Sequence, residues 1–285
     1  KRVFQTGSQF RSSPANRLGC ELVRNGRIGE LQRILTFVAK QNADDPGPGW
    51  KPTPVPEGFD YDFWLGPAPV APYHKGRCLY RFRFNLDYSG GQTTNFGCHS
   101  NDIAQWGSGN SDTVPVEYED LGSEWPAPGS LYSTATKVHF RARYASGLEL
   151  VCETAKPFFG CRFEGTEGWV QFDFQGLHTH PESLKTTVFG PNEVRLPVSN
   201  PQREENSSKF FIPDHARNFL DAVKSRKDPI EPVEIGHRTA TLCHLGNVAM
   251  RLKRKIRFDP EKEQIVGDEE ANRMLGRPMR APWHL

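Results

Sequence analysis

The chain has 285 residues, 36% hydrophobic and 25% charged, with a formal net charge of +2. That is enough for one large domain, or one domain and part of another, of ordinary globular composition. Near-neutral charge gives no footing for nucleic acid or an anionic membrane, no stretch approaches the roughly 20 apolar residues of a membrane span, no signal peptide is visible, and the six scattered cysteines lack a C-x-x-C pair and so make neither a disulfide framework nor a zinc signature.

Residues 2–7 read as a short buried strand ending at Gly7. In "SSPANRLGCELVRNGRIG", Ser13 suits an N-cap, Pro14 the first helical position and Gly26 the C-terminal stop, so a helix is predicted between them. "ELQRILTFVAK" (30–40) reads as a strand. The proline-rich "DDPGPGWKPTPVPEG" (44–58) cannot be regular structure, because proline fixes φ and lacks a donor. The aromatic-rich "FDYDFWLGPAP" (59–69) after it suggests a loop pinned on a surface, and long loops in compact domains are often functional.

From residue 79 the period drops to two. Tyr80, Phe82 and Phe84 alternate with Arg81 and Arg83; "KVHFRARY" (137–144) and "GWVQFDFQG" (168–176) alternate in the same way. Such strands have one buried face, which predicts an α/β (α+β) fold: a large, mostly antiparallel open sheet with helices packed on one side. The other face is polar and broad, and suits an oligomer interface. "PDHARNFLDAVKSRKDP" reads as a helix with Asp214 as N-cap. Ile235, Leu242, Leu245, Ala249 and Leu252 mark one face of a further helix about five turns long. The basic run "RLKRKIR" (251–257) is the solvated end of that helix running into a strand.

The chemistry concentrates in "GGQTTNFGCHSNDIAQW" (90–106). A helix starting near Asn95 places Asn95, His99 and Asp102 at i, i+4 and i+7 on one half-polar face, the look of a helix lining a pocket. A neutral imidazole can take a proton from a substrate hydroxyl near pH 7, and a carboxylate one turn on can fix its tautomer. The alternative is a buried histidine with Asp102 capping or ion-paired. Cys98 and His99 are chemically able metal ligands, but on a helix they diverge by about 100°, and no metal is assigned. There is no Gly-rich phosphate loop and no nucleophile elbow.

Five segments together carry a family resemblance: "ELVRNGRIGELQRI", "FDYDFWLGPAP", "DYSGGQTTNFGCHSNDIAQW", "NFLDAVKSRKDPIEPVEIGHRTATLCHLGNVA" and "IVGDEEANRMLGRPMRAPWHL". The chain resembles the Gfo/Idh/MocA oxidoreductases, and most of all the bacterial subgroup common in planctomycetes. The resemblance implies an N-terminal Rossmann domain for NAD or NADP, followed by an α/β domain whose open sheet shapes the substrate site and joins subunits as a dimer or tetramer. On that basis residues 1–12 correspond to a remnant of the Rossmann domain and 13–285 to the substrate-binding and oligomerisation domain. The fingerprint G-x-G-x-x-G and the Glu-Lys-Pro lysine that relatives carry upstream are not in this sequence, so tight binding of NAD or NADP by this chain alone is not expected. The family's D-x-x-x-H pair falls on Asn95 and His99; an amide can hold a hydroxyl but not accept its proton, leaving His99 as the base. Further substrate contacts are expected from Asp102, Trp64, Tyr61, Arg81, His178 and His180, with Arg81 and Arg83 open to the plainer reading of surface charges and His237 and His244 read as structural. The implied activity is oxidation of a secondary hydroxyl, or reduction of a keto group, on a small-molecule carbohydrate or cyclitol. The alternatives are a non-catalytic sugar-binding or assembly domain and an NAD-assisted glycoside-cleaving enzyme. The compartment, cytoplasm or periplasm, is left open.

Overall fold

Helix α1 (Pro14–Arg24) is built as its punctuation dictates: Ser13 Oγ accepts from the Asn16 amide, Pro14 opens the first turn, and Gly26 leaves at φ +68°. Strand β1 (Leu31–Val38) follows. The proline-rich stretch then runs without strand or α-helix to the short α2 (Tyr61–Leu65), capped by the Asp60 side chain. Next come α3 (Phe96–Ser108), β2 (Glu117–Asp120), β3 (His139–Arg143), β4 (Glu149–Thr154), β5 (Gly160–Gly165), β6 (Trp169–Asp173) and β7 (Gly176–His180). The chain closes with α4 (Ile212–Ser225), α5 (Val233–Leu252), β8 (Ile256–Asp259), β9 (Gln264–Ile265) and α6 (Glu269–Arg273). This computed structural model describes residues 2–41, 44–157, 159–201 and 212–283; Lys1 and the His284–Leu285 end of the last family-like segment lie outside them.

The strands form one sheet in the order β7-β6-β5-β1-β4-β3-β2-β8-β9. Only β1 and β4 run parallel; the other neighbours are antiparallel. Register aligns Thr36 with Cys152 and Cys161, Phe140 with Cys152, and Cys161 with Phe172, so these buried side chains share one face. Helices α1, α3 and α5 pack on that face.

Each of these helices offers the sheet a glycine, and a phenylalanine fills the gap. A Cβ on Gly19 (α1) would stand 2.4 Å from the Phe172 ring, on Gly107 (α3) 2.4 Å from Phe163, and on Gly246 (α5) 2.5 Å from Phe140. The missing methyl lets each helix backbone settle directly on a ring, which keeps the layer dense. The opposite sheet face carries cross-strand ion pairs, among them Arg33–Glu164, Arg141–Glu119 and Arg143–Glu149, each at 2.6 Å and partly exposed.

Three expectations are corrected. Residues 2–6 form no strand: the Thr6 amide bonds the Glu231 carbonyl and Gln5 Nε2 the His215 carbonyl, two tie-points rather than a ladder. "YRFRF" is a 3-10 turn (Leu79–Phe84) entered through Leu79 at φ +51°. Its alternation misleads because only Phe84 is buried, in a small cluster with Leu131 and Tyr132, while Tyr80 and Phe82 remain exposed. Asp214 lies inside the first turn of α4 rather than at its cap, and accepts from Asn200 Nδ2.

Candidate active site on helix α3

The turn before α3 needs its glycines. Gly91 adopts φ +70°, and a Cβ there would lie 2.7 Å from Thr134. Asn247 of α5 donates to the Gly90 carbonyl at 2.9 Å, Gln92 Nε2 to the Lys40 carbonyl, and Asn95 Nδ2 to Gln92 Oε1. The start of α3 is thereby fixed against both α5 and the end of β1.

Within the helix, most of the polar side chains are joints between elements rather than the wall of a pocket. Ser100 Oγ donates to the Phe37 carbonyl, Asn101 Oδ1 accepts from Thr36 Oγ1 at 2.8 Å, and Gln105 Oε1 accepts from Thr239 Oγ1. Asp102 is completely buried and held by Arg11, whose Nε and Nη2 reach Oδ1 at 2.8 and 2.6 Å. The expected contact of Asp102 with substrate is therefore corrected: its oxygens are spent on Arg11. Glu231, just ahead of α5, lies 2.9 Å from Arg11 Nε, but that N–H already points at Asp102. Burial, with the Asp102 charge adding to it, pushes the Glu231 carboxyl up to about 9.

Asn95 and His99 are the two expected site residues of α3 that keep partial access to solvent. The His99 ring packs edge-on against Phe10, centroids 5.3 Å apart. Its Nδ1 is enclosed without a partner, and neither ring nitrogen has a hydrogen bond among the described residues. Burial lowers its pKa; Asp102 opposes that and His215 adds to it. The ring is therefore neutral at pH 7, the form that can accept a proton. His215 is different: Nε2 sits 2.8 Å from the Thr6 carbonyl and so carries the proton, while Nδ1 accepts from Ser12 Oγ at 3.0 Å. It is a clamp on residues 6–12.

The remaining expected site residues lie elsewhere. His178 and His180 share one face of β7, but register sets them beside Gln171 and Trp169 on the open sheet face, opposite α3. The backbone therefore keeps them from a site with His99, and His178 is taken by Asp173 at 3.1 Å. Tyr61 stacks on Trp64, and Trp64 meets Tyr88 edge-on at 5.1 Å. Trp64 lines a cavity of about 1360 Å³ between α2, the outer side of α5 and residues 273–279; His99 does not line it. Arg81 is exposed on the 3-10 turn. Sequence reasoning missed Arg11, Phe10 and Glu231, whose partners lie far off in the chain; His237 and His244, read as structural, both line the cavity, and His237 is engaged by Glu263 at 2.6 Å.

Among the described residues no strand feeds a G-x-G-x-x-G loop into a helix N-terminus, the arrangement that cradles a pyrophosphate.

An open, mostly antiparallel sheet with three helices on one face and a histidine on the central helix makes this an α/β domain. The family model described as "Oxidoreductase family, C-terminal alpha/beta domain", of Gfo/Idh/MocA type, matches residues 47–191 and 195–285, and the chain belongs to that family. No curated protein matches it. Among solved structures, it is similar to aldose-aldose oxidoreductase from Caulobacter crescentus complexed with glycerol (16% identity, TM-score 0.56, 90% of this chain and 64% of that one). It is also similar to levoglucosan dehydrogenase in complex with NADH and L-sorbose (16%, TM-score 0.55, 90% and 65%) and to myo-inositol 2-dehydrogenase from Lactobacillus plantarum (14%, TM-score 0.51, 90% and 65%). At these identities the likeness is one of fold, and the chain spans less than two thirds of those proteins.

Proposed function

We propose that this chain is the substrate-binding and proton-handling part of an NAD(P)-dependent oxidoreductase that interconverts a secondary hydroxyl and a keto group on a sugar or cyclitol. The observation that carries the reading is His99: a neutral imidazole, free of hydrogen bonds among the described residues and partly accessible, on the central helix of this domain. Oxidation of an alcohol releases the hydroxyl proton, and His99 takes it; in the reverse direction the imidazolium returns it to the new alkoxide. Asn95, one turn earlier, holds a hydroxyl through its amide and moves no proton. The nicotinamide would supply the redox chemistry when bound, and no step of that chemistry is assigned to these residues. The fold shared with levoglucosan and myo-inositol dehydrogenases supports the substrate class.

One observation favours a second reading, a sugar-binding domain without turnover: the residue at position 95 is an amide. A panel of aldoses and cyclitols, titrated by calorimetry and assayed with NAD and NADP in the presence of a dinucleotide-binding domain of the family, separates the two. Turnover that disappears in His99→Ala supports the enzyme. Saturable binding with no turnover supports the binding domain, and no binding at all sinks both. We further propose that copies of the chain associate as a dimer or tetramer through the open sheet face, which light scattering on the eluting protein measures directly.

A further inference from the structure

The cavity on the outer side of α5 has a chemistry of its own. At about 1360 Å³ it exceeds the ~300–1,000 Å³ of common small-molecule sites. Its walls are aromatic and aliphatic: Trp64 and Tyr88 from one side, Phe82 from the 3-10 turn, Met274 and Met279 from the C-terminal segment. Phe82, Met274 and Met279 are 39%, 38% and 44% exposed, so apolar surface from separate parts of the chain converges on one hollow. Such convergence marks a binding surface rather than scattered surface residues.

The charges around it do not cancel. Arg251, Arg273 and Arg277 all line the cavity, and among the described residues none of them has a carboxylate within 4.0 Å. Of the two lining acids, Glu263 is engaged by His237 at 2.6 Å, which leaves Asp87. Elsewhere in the molecule arginines are mostly paired, as Arg11, Arg33, Arg141 and Arg254 show. Arg277 is the most telling. Among the described residues it makes one hydrogen bond, to the Ser89 carbonyl, and desolvation lowers its pKa while the Asp87 charge opposes that. A guanidinium with no carboxylate partner gains from an anion that accepts from its free N–H groups. His244 also lines the cavity, has no hydrogen bond among the described residues, and is exposed enough to offer a polar contact; desolvation and then the Arg277 charge lower its pKa.

Arg280 pairs with Asp62 at 2.9 Å and donates to the Asp62 carbonyl, and Trp283 packs against Phe63, so the segment that carries Met274 and Met279 is tied to α2. Methionines on that segment can adapt to the shape of what enters.

We propose that this cavity is a second ligand site, separate from His99, for a carboxylate carried on an aromatic or apolar ring body, with Arg277 receiving the carboxylate and Trp64, Tyr88 and Phe82 receiving the ring. The site does not depend on the oxidoreductase reading.

The chain reports on it conveniently. It has three methionines: Met274 and Met279 on the cavity and Met250 wholly buried in the core. Titration of methyl-13C-methionine protein with naphthalene-2-carboxylate should move the Met274 and Met279 signals together and leave Met250 in place. The neutral isostere 2-naphthamide, and the variant Arg277→Gln, should each weaken binding by at least about tenfold, while His99→Ala should titrate like the parent. Arg277 sits on an exposed segment, and the unshifted Met250 signal reports that the variant is folded. Equal binding of the amide, equal binding by Arg277→Gln, loss of binding in His99→Ala, or no shift at millimolar probe each overturns the proposal.

Discussion

Arg11 and Asp102 meet side-on in the interior, Nε and Nη2 at 2.8 and 2.6 Å from Oδ1 and Nε at 2.9 Å from Oδ2, both side chains nearly inaccessible. This pair ties residues 8–12 to α3 one turn beyond His99, and the neighbouring Phe10 packs on His99 itself. Replacing Arg11 with methionine leaves the buried Asp102 carboxylate without a cation. The expected cost is about 3–5 kcal/mol, because a lone buried charge keeps its desolvation penalty and loses its partner. Urea unfolding of Arg11→Met should show a lower midpoint at an unchanged slope.

Glu231 makes stability depend on pH in an unusual direction for an acid. Its folded carboxyl is raised, from an ordinary 4.5 to about 9, by burial first and by Asp102 second. Between those values the unfolded chain has released a proton that the folded chain retains, so stability falls as pH rises. The contribution is fully present below pH 4.5 and lost as pH climbs through about 9. Glu231→Gln, which mimics the protonated form, should flatten that decline while costing little at acid pH. An unchanged pH slope in the variant would show that Glu231 is ionised in the folded protein.

Much of the architecture is legible in the sequence because local rules govern it. Ser13, Pro14 and Gly26 bracket α1; the alternation in "KVHFRARY" and "GWVQFDFQG" is strand alternation, since these residues have sheet neighbours on both sides. "YRFRF" carries the same pattern and is not a strand, because alternation forecasts a strand only where a ladder partner exists. The candidate site is half legible. His99 stands out by residue type and helix spacing, but the role of Asp102 is set by an arginine 91 positions away. The separation of His178 and His180 from His99 depends on which side of the sheet the helices cover, which strand alternation alone does not specify.

The glycine-to-ring contacts give a prediction about packing. Gly107→Ala and Gly246→Ala each thrust a methyl into a fully buried ring, Phe163 and Phe140 respectively. Helix propensity favours alanine by about 1 kcal/mol, yet overpacking in a dense core costs roughly 1–3 kcal/mol. Both variants should therefore be less stable than the parent by thermal or urea unfolding. Gly49→Ala, with open space around it and no left-handed backbone, should be neutral. If Gly107→Ala is stabilising, α3 can shift away from β5 and the close approach is not a constraint.

His99 yields the prediction closest to function. Because burial lowers its pKa below 6.5, the free base dominates at neutral pH, and protonation at lower pH removes the proton acceptor. The oxidation rate should therefore fall on the acid side with a midpoint below 6.5, and be flat through pH 7. His99→Ala should lower kcat by about 10²–10⁴-fold, the usual contribution of a positioned base, and abolish the acid limb. Folding should change little, since the ring makes no hydrogen bond among the described residues. Asn95→Asp adds a second acceptor one turn earlier on the same helix, and in the His99→Ala background it should restore part of the rate. Restoration would place both residues at the same hydroxyl; a double variant no faster than His99→Ala would leave position 95 with a binding role alone.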